Sequence, residues 1–463
     1  MKALWQSEAI ARAVKGTASA DFSVRNVAFD SREIQKGDLF FALKGTESDG
    51  HNYVEAAFKR GAAGAVVMSP VPYPHILVDD SYQALKDLAV ASRKRNHGKI
   101  IGITGSVGKT STKESLRLAL ERMAPEKVHY SLKSYNNHVG VPLSLARMPE
   151  ESLFGIFEMG MNHAGELSDL TKLVQPDVAL ITAIAPAHAA FFADETAIAE
   201  AKSEIFEGLS SGGIAIIPHD SPYRDLLTAK AQEKKAEIRS FGFGEGATIR
   251  AQNIVREADG RVLVTASIRD RQLVFSMAMA AEHWISNAMA VLAVVDAVGG
   301  DLTLASLALG DITGFQGRGQ RFDIPVGDGS AIVIDESYNA NPASMAATIK
   351  ALENEPKDKR RIVLLGDMLE LGQNSAAYHR ALADPLSHAK VDHVLLVGQE
   401  MAALEESLAG KIACDRIEKA DQAEALLDEI LKADDILLVK GSNSLGLSAV
   451  VSSLSKKGCA CSI

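Results

Sequence analysis

The run Gly102-Ile103-Thr104-Gly105-Ser106-Val107-Gly108-Lys109-Thr110-Ser111 has the residue types of a phosphate-binding loop. Its glycines let backbone N–H groups turn toward an anion, and a helix starting there adds the positive end of its dipole. Lys109 can reach the β- and γ-phosphates of ATP, and the Thr110 hydroxyl can ligate Mg²⁺. Gly105, Ser106, Val107, Gly108 and Ser111 complete the set of nucleotide contacts expected from the loop. The spacing departs from the strict Walker pattern, whose first glycine would fall on Ile103. The loop predicts ATP binding but leaves the acceptor open. A carboxylate would make a ligase, a hydroxyl or water a kinase or ATPase, and no acceptor at all a nucleotide-binding scaffold.

Further along the chain, polar residues follow apolar runs in the position where a strand end presents them to a ligand. Glu158 directly follows Leu153 to Phe157, and after a phosphate loop such a carboxylate suits a metal. His188, in Ile184-Ala185-Pro186-Ala187-His188, lies beyond another apolar run. A lone histidine there is more often structural than functional. Lys202 sits in a helical stretch, Glu195 to Leu209, where spacing alone gives it no special role. Asp335-Glu336-Ser337-Tyr338-Asn339-Ala340-Asn341-Pro342 passes from a strand into a helix near Ala343, with Asn341 or a neighbour as its cap. Gly366-Asp367-Met368 repeats the arrangement one strand later, so the two define one ligand-facing edge.

The elements that must carry these residues are legible as alternating apolar runs and helical patterns. Residues 1–84 read as a small α/β unit with strands at Leu39 to Leu43 and Ala65 to Met68. A helix over Tyr82 to Arg95 leads to the strand Lys99-Ile100-Ile101-Gly102-Ile103-Thr104-Gly105 and then to the helical run Lys113 to Arg122. Strands at Leu153 to Phe157, Ala179 to Ile184 and Ile214 to Ile217, with helices between them, predict a doubly wound parallel sheet over residues 85–314. Residues 248–278 alternate as β-structure around Asp259-Gly260, a hairpin turn, before a helix from Glu282 to Val298. Gly314 to Gly319 is the expected linker. Strands at Ala331 to Asp335, Ile362 to Leu365, Val394 to Val397 and Ile436 to Val439 make residues 315–463 a Rossmann-like unit.

Bulk properties narrow the partners. A chain of 463 residues is two to three times a typical domain, which predicts two or three domains. With 49 basic against 59 acidic residues the net charge is -10, which argues against a general nucleic-acid surface. The cysteines Cys414, Cys459 and Cys461 have no metal-ligand spacing and are expected as free thiols of a reducing cytosol. Charges at Lys2, Glu8, Arg12 and Lys15 interrupt the N-terminal segment, an amphipathic helix rather than a signal peptide. The charge-poor stretch Val178 to Ala193 contains Pro186 and falls short of the roughly 20 apolar residues that span a bilayer. A soluble, cytoplasmic protein is expected.

Taken together, these motifs resemble the Mur ligase family along essentially the whole chain. The loop has that family's G-x-T-G-x-x-G-K-T form, which accounts for its non-Walker spacing. Tyr135-Asn136-Asn137-His138-Val139-Gly140-Val141-Pro142, Glu158-Met159-Gly160, the segment ending at His188, and Ala201-Lys202-Ser203-Glu204 follow in the family's order. Tyr338 to Met345 and Gly366 to Gly372 are similar to the branch that adds D-alanyl-D-alanine, and the Asp-Asn-Pro-Arg motif of the diaminopimelate-adding branch is absent. Asp30-Ser31-Arg32 and the stretch Lys36 to Ala62 resemble the UDP-sugar-binding domain common to both branches.

The resemblance implies a three-domain, monomeric ligase of peptidoglycan synthesis. ATP would phosphorylate the terminal carboxylate of UDP-MurNAc-tripeptide, and the amine of D-alanyl-D-alanine would then attack the acyl phosphate. It implies that Lys109 and Thr110 serve the phosphates and Mg²⁺, with Glu158, His188 and a carbamylated Lys202 as further metal groups. Asn287 and Arg318 are implied as nucleotide contacts, with Asp335 as the hinge-side partner. Tyr338, Asn339 and Asn341 fall to the nucleotide and dipeptide, and Ser31, Arg32, Lys44, Asp49 and Asn137 to the UDP-linked substrate. Two positions depart from the family's pattern. Ala189-Ala190-Phe191-Phe192 lacks a glycine and an acidic residue after His188, and Asn443 stands where an arginine is common.

Overall fold

A strand whose two faces are both apolar must be covered on both sides, and Lys99–Thr104 is such a strand. Ile100 belongs to the core on one face of its sheet, whereas Ile101 and Ile103 belong to the core on the other. The computed structural model describes residues 3–46, 48–186, 191–257, 260–269 and 271–460. Within them Lys99–Thr104 pairs in parallel with Phe154–Glu158 on one side and Val178–Ile181 on the other. Val128–Tyr130 adds the edge beyond Phe154–Glu158. Ile214–Pro218, Glu237–Gly242 and Ile249–Arg256 extend the sheet in parallel on the opposite side. Val262–Ile268 and Arg271–Met277 then turn antiparallel, which confirms β-structure over 248–278. Of the expected turn, Asp259 lies outside the described residues.

Helices cover both faces, as a doubly wound sheet requires. On one face Lys109–Met123 and Glu282–Ala297 bury Leu116, Leu120, Met289 and Leu292. On the other, Glu166–Val174 and Glu195–Ser203 bury Leu170 and Ile198. The expected helix from Glu195 to Leu209 is α-helical only to Ser203 and tightens into a 3₁₀ turn over Glu204–Gly208.

Two smaller units flank this sheet. The N-terminal one has a sheet in which Asn26–Ala28, Asp38–Phe41, Gly64–Val67 and His75–Leu77 run parallel, with Thr17–Ala18 antiparallel at the edge. The helix Ser81–Arg95 joins it to the central unit: Leu85 and Leu88 lie in the N-terminal core and Ala89 in the central one. Trp5 strengthens the junction by donating its indole N–H to Ala146 O at 2.9 Å and stacking on the Arg95 guanidinium. In the C-terminal unit, Gly329–Glu336, Ile436–Lys440, Arg361–Gly366, His393–Val397 and Ala413–Ile417 are parallel neighbours in that order. Gln320–Val326 runs antiparallel to Gly329–Glu336 at the edge. No helix among the described residues is long and apolar enough to cross a membrane. Cys414 is a free thiol.

Candidate active site

The phosphate loop is shaped by its glycines and by what crowds them. Gly105 has φ +151°, and a Cβ there would lie 1.9 Å from Thr182 Oγ1. That hydroxyl donates to Val107 O at 2.6 Å, so Thr182, at the end of the neighbouring strand, sets the curl of the loop. Gly108, at φ +83°, opens the helix Lys109–Met123, and a Cβ on it would sit 2.9 Å from Asn287 Oδ1. The glycine therefore lets Asn287 come up against the loop. Ser106 Oγ donates to Ala185 O at 2.8 Å, tying the loop to the segment that follows Val178–Ile181.

Lys109 donates to Gly105 O at 2.5 Å, its amine folded back over the loop it belongs to. Burial lowers its pKa, Glu158 opposes that shift, and Arg318 adds to it. Glu158 ends the central strand Phe154–Glu158 and is 1% exposed. Its Oε2 accepts the Thr110 hydroxyl at 2.9 Å, and its Oε1 accepts Asn136 Nδ2 at 2.9 Å. Both donors are hard-oxygen chemistry or orient it, the kind of set that suits Mg²⁺.

The C-terminal unit closes over this group. Arg318 donates to Thr110 Oγ1 at 3.1 Å and stacks its guanidinium 4.1 Å from the Tyr338 ring centroid. One cavity of about 440 Å³ is lined by the phosphate loop, Glu158 and Asn287 on one side and by Arg318, Tyr338, Asn339 and Asn341 on the other. Asn341 also caps the helix Pro342–Ala351, accepting Ser344 N at 2.9 Å in a capping box. Glu336 and Lys440 are register partners at the ends of adjacent parallel strands and line the same cavity, 3.6 Å apart. Burial raises the pKa of the carboxyl and lowers that of the amine, and each partner opposes the other's shift. His283, also on the wall, is pushed down to about 4 by burial and by Lys440.

Other residues singled out by the sequence lie elsewhere. Asp335 is buried beside the hinge, where Gly317 N donates to its Oδ2 at 2.7 Å and Ser337 N and Oγ donate to its Oδ1 at 3.0 and 2.6 Å. It holds the linker rather than lining the cavity. Lys202 is 1% exposed and does not line it either. Burial and the charge of Lys109 lower its pKa well below that of an ordinary lysine. Ser31 and Arg32 are in the N-terminal unit, where Arg32 forks the Asp30 carboxylate at 2.9 and 2.7 Å. Lys44 and Asp49 face each other across an isolated antiparallel bridge. Asn137 accepts Gly140 N at 2.9 Å and starts the helix Gly140–Ala146. His188 lies outside the described residues, as do Ala189 and Ala190. Sequence reasoning gave no individual role to Asn136, Thr182, His283 or Lys440, and placed Glu336 on the ligand-facing edge without assigning it a task. Lys440 carries the signal that marked Glu158, a charged residue directly after an apolar run, and Glu336 comes one residue later, after Asp335.

A phosphate loop backed by a strand-end carboxylate, facing the strand ends of a second sheet across one cleft, defines a multidomain α/β protein of the nucleotide-binding class. Residues 23–93 match the Mur ligase family catalytic domain, 103–295 the Mur ligase middle domain, and 318–443 the Mur ligase glutamate ligase domain. The chain belongs to the Mur ligase family and is a peptide-bond-forming ligase. It is 33% identical to the UDP-N-acetylmuramoyl-tripeptide–D-alanyl-D-alanine ligase of Rickettsia prowazekii, over 97% of this chain and 99% of that protein. It is 34% identical to the ligase of the same name from Haemophilus influenzae, over 94% of each. The solved structure of MurF from Acinetobacter baumannii superposes with a TM-score of 0.84 at 30% identity, covering 98% of this chain and 99% of that one. MurF ligase from Thermotoga maritima in complex with ADP gives 0.79 at 25% identity, covering 94% and 98%.

Proposed function

We propose that this chain joins D-alanyl-D-alanine to UDP-MurNAc-tripeptide with ATP, giving UDP-MurNAc-pentapeptide, ADP and phosphate for peptidoglycan synthesis. The observation that carries this reading is the single cavity in which the phosphate loop and Glu158 face Tyr338, Asn339 and Asn341. The near-full-length relatives named for this reaction support the choice of substrates.

A carboxylate is resonance-stabilised and resists attack by an amine, whereas its anhydride with phosphate carries a good leaving group. The γ-phosphoryl of ATP is transferred to the tripeptide's terminal carboxylate, and ADP leaves. The free amine of the dipeptide then forms the new C–N bond while the bond to phosphate breaks; the nitrogen keeps one proton as the amide N–H and gives up the other to solvent. Lys109 and Arg318 neutralise charge on the phosphates, and the loop N–H groups of residues 105–111 orient them. Thr110 and Glu158, with His188 and Lys202, would hold Mg²⁺, which when bound supplies further charge neutralisation on the transferring phosphoryl group.

Lys202 enters as a carbamate. Its burial favours the neutral amine, the form that adds carbon dioxide, and the product offers an anionic oxygen in place of a cation. Asn287 faces the nucleotide, and Asp335 fixes the hinge against which Arg318 works. Ser31, Arg32, Lys44, Asp49 and Asn137 receive the UDP-linked substrate. Residues 1–84, 85–314 and 315–463 are the units that bind this substrate, ATP and the dipeptide, and the enzyme acts as a monomer in the cytoplasm.

Phosphate release from ATP with purified UDP-MurNAc-tripeptide, measured with and without D-alanyl-D-alanine and with other amines, tests the assignment. Steady release is expected only when tripeptide and dipeptide are both present. Equal release without the dipeptide would make the chain an ATPase.

A further inference from the structure

Lys113 lies on the helix that opens at the phosphate loop, one turn beyond Lys109, and is fully buried. A buried ammonium is costly unless it finds acceptors, and this one has three. It donates to Ser131 O at 2.7 Å and Lys133 O at 3.0 Å, and pairs with Glu114 Oε1 at 3.0 Å. Both carbonyls lie just past the strand Val128–Tyr130, where the chain leaves the sheet. The phosphate-loop helix therefore grips the segment 131–137 by its backbone.

That segment reaches in two directions. Toward the nucleotide cavity, Ser131 Oγ accepts Glu158 N at 3.3 Å, Asn136 Nδ2 donates to Glu158 Oε1, and Asn136 O accepts Gly160 N at 2.8 Å. Toward the N-terminal unit, Lys133 pairs with Glu33, and the Tyr135 hydroxyl lies 3.0 and 3.2 Å from the two Glu33 oxygens. Lys133 has φ +51°, a conformation uncommon for a lysine and held here by contacts at both ends. Glu33 adjoins Arg32, in the stretch assigned above to the UDP-linked substrate.

We propose that Lys113 is a positioning residue that couples the two substrate sites: by holding segment 131–137 between Glu158 and Glu33, it makes the nucleotide and the UDP-linked substrate favour each other's binding. The coupling is reciprocal by thermodynamic necessity. The identity of the two ligands rests on the function proposed above.

Titration calorimetry with the intact chain tests this, using UDP-MurNAc-tripeptide with and without saturating Mg²⁺ and a non-hydrolysable ATP analogue. The wild type is expected to bind the tripeptide about fivefold or more tighter with the analogue present. Lys113→Met is expected to reduce that factor to about twofold or less while each ligand alone binds within about threefold of wild type. Glu33→Gln, at the far end of the segment, should lose the coupling in the same way, and the double variant should lose no more. Coupling at the wild-type level in both single variants overturns the inference, as does a wild type whose two ligands ignore each other. Should Lys113→Met fail to fold, Glu33→Gln decides alone. A wild type that binds the analogue but not the UDP-tripeptide overturns the proposed function, and the inference with it.

Discussion

Lys109, partly buried on the cavity wall, and Lys202, fully buried, are both lysines of the central unit, and their surroundings send them to different tasks. Lys109 keeps a carboxylate nearby in Glu158, and its amine rests on Gly105 O, from which a phosphate oxygen can displace it. Lys109→Ala is expected to lower kcat about 100-fold or more, the scale on which groups that stabilise a transferring phosphoryl act. A near-normal rate in steady-state kinetics would remove the loop from the mechanism. Lys202 has burial and the Lys109 cation acting against its own charge, with no carboxylate among the described residues opposing them. Lys202→Ala should abolish turnover, and added formate or acetate should restore part of it by supplying the missing anionic oxygen. Full activity in the unrescued variant would contradict the carbamate. Glu158 was legible in the sequence because its signal is local, a carboxylate directly after an apolar strand. Asn136 was not, since what gives it meaning is a 2.9 Å contact with Glu158 made through the fold. Glu336 and Lys440 meet only because two strands distant in the chain fall into parallel register.

At the scale of elements, the strands that sequence patterning found include those buried on both faces, such as Lys99–Thr104 and Ile436–Lys440, and the alternating, half-exposed β-structure over 248–278. Those it left unassigned include Val128–Tyr130, Gln320–Val326 and Ala413–Ile417 at sheet edges, whose half-exposed faces carry charged or polar residues and break the apolar run. One of them carries a measurable consequence. His129, on Val128–Tyr130, donates to Ser144 O at 2.7 Å. Burial, reinforced by the Arg147 charge, pushes its pKa down to about 4, against the hydrogen bond to Ser144. Between pH 6.5 and about 4 the unfolded chain binds a proton at this site that the folded chain does not, so stability falls as pH falls through that window. The loss from this one group amounts to about 3 kcal/mol at most. In urea denaturation at pH 7 and pH 4.5, His129→Gln is expected to lose less stability on acidification than the wild type. An equal loss in both chains would show that His129 is not buried in its neutral form.

The cleft proposed as the active site belongs to a larger scale than one unit, because the central and C-terminal units line it together. Its floor is the phosphate loop of the central sheet, its far wall the strand ends of the C-terminal sheet, and Arg318 at the hinge touches both through Thr110 and Tyr338. The sequence showed three α/β units and a glycine-rich linker at 314–319. It could not show that Asp335, read as a nucleotide partner, spends its carboxylate on the linker N–H of Gly317 and on Ser337. The central claim is that the tripeptide carboxylate is activated as an acyl phosphate before the dipeptide attacks. Mass spectrometry of inorganic phosphate released from UDP-MurNAc-tripeptide carrying ¹⁸O in its terminal carboxylate tests it most directly. One labelled oxygen is expected in the phosphate for each pentapeptide formed, and pentapeptide accompanied by unlabelled phosphate would contradict the account.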